Sequence, residues 1–307
     1  MALAAEPQLI GTHDPRKGIL FMVGGLALFS ILNGAVKAQA GLFPLNQIIF
    51  FRNGFGLLAL LLLVRMMGGT ALLATKRPLA QLWQSTTFTA ILLLMFFAYR
   101  HMPLADATAI SFFQPLIATV LGAFILRERP SLASWVAVFI GLGGVMLMVQ
   151  PSGQGMGEMS RLGAMAALAA TLLSALSLIQ QRSLSRTDET LTIVFYTMLY
   201  STLTMTPTLF WSWTQPTFPQ LAGLVAMGLA SGFCQYLTTR ALYFAPVATI
   251  APINYTKMIW AVLIGYVWFG DVPTIWVLAG SGIVILAALI VMRKPAVAPA
   301  VPLGDAP

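Results

Sequence analysis

Lys257 is the residue in this sequence best placed to do chemistry. It stands roughly eleven residues into an otherwise uncharged, apolar stretch from Pro246 to Phe269, long enough to span a membrane as a helix. An ionisable side chain at that depth costs at least about 2.5 to 3.5 kcal/mol on insertion scales, so it marks a functional position by default. On a helix, Asn254 and Ile264 share its face, and Trp260 and Ala261 flank it at i+3 and i+4. A cation, an amide and a large aromatic would then face one space, which suits a carboxylate carried on an apolar or aromatic body. The alternative is a structural lysine bonded to helix-end carbonyls. Arg52 is the second embedded cation. It lies only seven residues from the start of the stretch Leu45 to Val64, so it either faces the same space or snorkels to the nearer interface.

The acids are absent where such cations would want them. Glu6, Asp14, Asp106, Glu128, Glu158, Asp188, Glu189, Asp271 and Asp305 all fall in tails, loops or helix ends. Lys257 therefore has no carboxylate at its own depth, and a substrate carboxylate becomes its natural counter-ion. With no embedded acid as a proton relay, the sequence points to facilitated movement down a gradient, or to coupling by another route. Polar stripes at helical spacing add Ser30, Asn33 and Lys37; Thr108, Ser111 and Gln114; Ser174, Ser177 and Gln181; and Ser231, Gln235 and Thr238. Hydroxyls in membrane helices commonly serve packing, whereas the amides of Asn33, Gln114 and Gln235 are costlier and more informative. Tyr99, Tyr236 and Trp260 suit an aromatic or apolar guest, or simply pack.

Other chemistries are excluded. His13 lies in a tail and His101 at a helix end, no acid is embedded, and neither a Gly-x-Ser-x-Gly turn nor a glycine-rich phosphate loop occurs, so no enzyme, cofactor or metal is expected. The single cysteine, Cys234, allows no internal disulfide framework.

These residues must be held by helices in a bilayer. Of 307 residues, 58% are hydrophobic and 8% charged, with a mean hydropathy of +0.85, too apolar for a soluble globular protein. The net charge of +8 comes from too few charges to form a nucleic-acid-binding face. Helix-length apolar stretches run from Gly18 to Val36, Leu45 to Val64, Pro78 to Tyr99, Ala107 to Leu126, Leu132 to Gln150, Leu162 to Gln181 and Val272 to Met292. The long run Thr190 to Thr239 is divided into two by Thr214-Gln215-Pro216-Thr217-Phe218-Pro219. With Pro246 to Phe269, that predicts ten crossings. Pro115 and Pro252 invite kinks in the fourth and ninth.

Placing both termini in the cytoplasm puts 12 of the 17 Lys and Arg on cytoplasmic segments and 3 opposite, with Arg52 and Lys257 embedded, as the positive-inside rule requires. Trp83, Trp135, Trp211, Trp213, Trp268 and Trp276 fall near helix ends, as an interfacial belt does. The first 17 residues, with Glu6, Asp14, Arg16 and Lys17, read as a cytoplasmic tail rather than a cleavable signal.

The chain also matches itself. Shifted by 143 residues, Pro103 meets Pro246, Ala105 meets Ala248, Gly122 meets Gly265, Glu128 meets Asp271 and Pro130 meets Pro273. Shifted by 145, Gly18 meets Gly163, Lys37 meets Arg182, and Gln47-Ile48-Ile49-Phe50-Phe51 meets Thr192-Ile193-Val194-Phe195-Tyr196. Five crossings per copy is an odd number, so the second copy enters the membrane from the opposite side, a plan that many transporters share.

The turns Pro103-Leu104-Ala105-Asp106-Ala107 and Pro246-Val247-Ala248, each leading into a helix closed by Glu128-Arg129-Pro130 or Asp271-Val272-Pro273, resemble the paired EamA-type domains of the drug/metabolite transporter superfamily. The likeness runs from Gly18 to Met292 and is greatest to bacterial inner-membrane exporters of aromatic amino acids and related metabolites. It implies an all-α integral membrane protein with ten transmembrane helices, built as two inverted five-helix repeats around a central cavity. The expected organisation is a tail at 1–17, a first repeat at 18–150, an extracytoplasmic linker at 151–161, a second repeat at 162–292 and a tail at 293–307. The expected function is export of amino acids, aromatic or large and apolar, by alternating access. Phosphorylated metabolites, nucleotide sugars or drugs are the alternative cargo on this fold, and a channel or a membrane-embedded enzyme is the remote alternative. Expected partners are the lipid bilayer and a small-molecule substrate, and the glycine faces Gly141-Leu142-Gly143-Gly144 and Gly280-Ser281-Gly282 offer a scaffold or a homodimer contact.

Overall fold

A computed structural model of the chain describes residues 15–67, 73–125, 132–149, 158–185, 187–244 and 251–293. Every regular element among them is helical, as a bilayer demands of a chain whose backbone polar groups have no water to bond. The first half contains α1 (Pro15–Ala40), α2 (Leu45–Met67), α3 (Pro78–His101), α4 (Leu104–Ser111), α5 (Gln114–Ile125) and α6 (Leu132–Val149). The second contains α7 (Glu158–Leu184), α8 (Thr190–Met205), α9 (Phe218–Phe244), α10 (Lys257–Phe269) and α11 (Ile275–Arg293), with 3-10 turns at Pro207–Phe210 and Ala251–Thr256. The turns predicted at 127–130, 151–155 and 246–248 and both tails lie outside the described residues, except the start of α1 and the end of α11.

Pro115 breaks the fourth crossing. It has no N–H to give to Ser111, so α4 closes with i to i−3 bonds from Phe112 to Ala109 and from Phe113 to Ile110, and α5 starts afresh at Gln114. The ninth crossing is likewise two pieces, the 3-10 turn containing Pro252 and then α10 beginning at Lys257 itself.

The larger contacts between the two halves come in exchanged pairs. α1 packs on α9 and α7 on α3; α2 packs on α9 and α8 on α3; α1 packs on α10 and α7 on α4 and α5; α2 with α8, α4 with α10 and α6 with α11 pair across the centre. Swapping the two halves maps this set of contacts onto itself, as a pseudo-twofold axis requires. The halves meet at backbone distance where side chains are missing. Gly56, Gly228 and Gly232 let α2 and α9 close together, and Gly144 lies against the Gly280 carbonyl between α6 and α11. Of the glycine faces read from the sequence, Gly144 and Gly280 meet inside the chain as a scaffold contact; Gly56, Gly228 and Gly232 lie outside that reading.

Two polar clusters fasten the ends. At one, Gly270 takes a left-handed φ of 68° and closes α10, with the Asp271 N–H reaching the Gly265 carbonyl. That turn delivers Asp271 to Lys37, at the end of α1, as an ion pair joining the halves. Asp106, buried in the first turn of α4, borders it, and Lys37 also sits 4.6 Å from the centre of the Phe269 ring. In a double-mutant cycle read by thermal unfolding in detergent, Lys37→Ala and Asp271→Ala are expected to couple by about 0.5–3 kcal/mol; additive losses would mean the pair joins nothing.

At the other end the Asp188 carboxylate accepts hydrogen bonds from Thr75 Oγ1 at 2.7 Å, the Lys76 N–H at 3.1 Å and Gln81 Nε2 at 2.8 Å. Burial pushes this acid up, but those bonds and the Arg77 charge outweigh it and hold Asp188 below the usual carboxylate range. Its ionised form therefore contributes stability above the unfolded value, near about 3.9, and that contribution is lost as pH falls through the folded value. Between pH 5 and pH 3 the melting temperature of the purified protein should drop more steeply than that of Asp188→Asn; parallel curves would contradict this.

Candidate functional site

A cavity of about 270 Å³ lies between the halves. Its wall draws on α1, α2, α3, α4 and α5 from the first half and on α7, α8, α9 and α10 from the second, while α6 and α11 contribute nothing. Those two helices form a separate buttress, packing through Val145, Val277, Val284 and Ala287.

Arg52, Lys257, Asn33, Tyr99, Gln114 and Gln235 all line this cavity. Arg52 does not reach an interface: it is 7% exposed, and its guanidinium carbon lies 5.7 Å from the centre of the Phe29 ring and 5.3 Å from that of Phe96. The Lys257 ammonium lies 5.3 Å from the centre of the same Phe29 ring. Cation–π contact partly replaces the water each charge has lost. Neither cation makes an ion pair with a carboxylate among the described residues.

Trp260 and Asn254 do not line the cavity. At 100° per residue, i+4 and i+3 fall on opposite sides of Lys257, and the cavity lies on the side of Ala261, which is part of its wall. Asn254 belongs to the 3-10 turn ahead of α10. The side chain of Tyr236 lies outside the described residues.

Most hydroxyls of the wall are already occupied. Thr108, Ser111, Thr171 and Ser174 donate to carbonyls of their own helices at 2.6–2.7 Å, and Ser231 donates to the Gly228 and Arg52 carbonyls. Gln114 Nε2 donates to the Ser174 carbonyl at 3.1 Å, tying α5 to α7. The side chains of Asn33 and Gln235 make no hydrogen bond to another described residue and are free for a ligand.

Sequence reasoning missed Asn53, which lines the cavity and donates to Ser201 Oγ at 2.7 Å. It also missed the apolar wall of Phe29, Phe88 and Phe96. An asparagine in an apolar run is as costly as Asn33 and was open to the same reading. Phenylalanines in membrane helices carry no such signal.

The model of one family, the EamA-like transporter family, matches residues 16–150 and again residues 161–293. The chain belongs to the EamA-like transporter family. It is accordingly a membrane transporter built from two such repeats, and not an enzyme. It is 28% identical over 280 residues to the pseudopaline exporter of Pseudomonas aeruginosa, covering 91% of this chain and 96% of that one. A riboflavin transporter of Rhizobium johnstonii is 28% identical, covering 90% and 91%. An S-adenosylmethionine uptake transporter of Rickettsia prowazekii is 26% identical, covering 80% and 82%. The expected narrower likeness to aromatic amino acid exporters is not what these relatives carry. A solved structure shares the fold, with a TM-score of 0.63 at 17% identity over 90% of this chain and 96% of its own.

Proposed function

We propose that this transporter exports amino acids with aromatic or large apolar side chains, and related carboxylated metabolites, across a bacterial inner membrane with both termini in the cytoplasm. The observation that carries the reading is Lys257, half-buried in the wall of a cavity between the repeats with no carboxylate partner among the described residues. A substrate carboxylate meets Lys257, an apolar body packs on Phe29, Phe88 and Phe96, and Asn33 and Gln235 offer hydrogen bonds. At about 270 Å³ the cavity falls just below the ~300–1,000 Å³ usual for drug-sized ligands, which favours an amino acid over a nucleotide sugar. The twofold exchange of helix contacts supports alternating access by rocking of the two repeats.

Uptake of each of the twenty amino acids by proteoliposomes, with and without a pH gradient, tests the reading. Saturable uptake of aromatic or large apolar members, little changed by the gradient, is expected. Saturable transport of none of the twenty would overturn it.

A further inference from the structure

Resting on that reading of the cavity, we propose that among the carboxylated compounds it accepts, the transporter prefers those bearing two anionic groups, one met by Lys257 and the other by Arg52. The two cations come from opposite repeats, Arg52 on α2 and Lys257 on α10. Each lies within 5.7 Å of the centre of the Phe29 ring, so the charges are no more than about 11 Å apart, close enough to repel strongly where water is excluded. Both line the one cavity.

Nothing described in the wall neutralises them. The two groups that could ionise there keep their protons. Cys234 Sγ lies 3.2 Å from the Gly25 carbonyl oxygen, which only accepts, so the sulfur is a thiol. Tyr99, also in the wall, brings a phenol, which ordinarily keeps its proton well above neutral pH. The nearest ends of the bundle hold their acids elsewhere: Asp271 on Lys37, with Asp106 beside them, and Asp188 on Thr75, Lys76 and Gln81. The cavity thus holds two basic side chains with no acid paired to either among the described residues, and a single carboxylate leaves one of them unmatched. A compact dicarboxylate with an apolar body matches both the charges and the wall. Selection for a second anionic group falls to Arg52, whose planar fork suits a carboxylate.

The test compares two probes of like body, L-phenylalanine and phenylsuccinate, titrated calorimetrically into the purified full-length protein in detergent. Wild type is expected to bind phenylsuccinate at least about tenfold more tightly. Arg52→Gln should bring the ratio of the two dissociation constants close to one, and Arg52→Lys, which keeps the charge, should restore most of it. Because the readout is a ratio within one protein, a general weakening in a variant does not imitate the effect. Phenylalanine bound as tightly as phenylsuccinate by wild type overturns the inference and leaves the carboxylate reading standing. A phenylalanine affinity that rises with added chloride to match phenylsuccinate overturns it too, since Arg52 would then hold an inorganic anion. Binding of neither probe removes both readings.

Discussion

Replacing Gly228 with leucine is expected to keep α2 and α9 apart and to leave little monodisperse protein in detergent. A Cβ at position 228 would stand 2.5 Å from the Phe51 carbonyl oxygen and 2.5 Å from Phe55 Cβ, distances that no rotamer relieves because backbone lies on one side. One turn on, a Cβ at Gly232 would meet Ala59 Cβ and the Gly56 carbonyl oxygen at 2.7 Å. Helices in lipid gain little from hydrophobicity and are held by close packing, so a seam of small residues sets their approach. Overpacking a core typically costs about 1–3 kcal/mol, and a leucine against backbone belongs at or beyond the top of that range. The α2 and α9 pair also carries the Ser231 bond to the Arg52 carbonyl, so the same change disturbs the cation in the cavity. Gel filtration and thermal unfolding of Gly228→Leu and Gly228→Ala should show a graded loss. A leucine variant that melts like wild type would contradict the seam.

Lys257→Ala should abolish most substrate transport while leaving the fold intact. Removing one partner of a desolvated charge pair costs about 2 kcal/mol or more, a loss of about thirtyfold in affinity. The variant also sheds a charge that faces the Phe29 ring and that no described carboxylate pairs, so its melting temperature should stay level or rise. That opposite movement of transport and stability separates a binding lysine from a structural one. A structural lysine, bonded to helix-end carbonyls, would lose stability when truncated.

The two-repeat plan was legible because its signals are local and occur twice. Prolines end helices whatever surrounds them, and Pro115 broke the fourth crossing where its missing N–H requires. The odd number of crossings per copy then dictated inversion. The site was legible in part, for a reason that Arg52 illustrates. Its depth allowed either the cavity or an interface, and the choice was made by Phe29 and Phe96 from two other helices, which no period within α2 encodes. Trp260 shows the angular limit. Helical spacing placed it beside Lys257, yet whether the cavity opens on the i+3 or the i+4 side depends on how α10 is rotated against α1 and α4. The buried acids make the same point. Asp106 and Asp188 sit at helix ends as their spacing indicates, but their burial follows from partners far along the chain.

Counterflow in proteoliposomes tests the account most directly. Vesicles containing the wild-type protein and preloaded with unlabelled L-phenylalanine should accumulate labelled L-phenylalanine transiently and saturably, and vesicles containing Lys257→Ala should not. Labelled uptake that is linear in concentration and indifferent to preloading, or equal in the two proteins, would contradict a carrier that holds its substrate at Lys257.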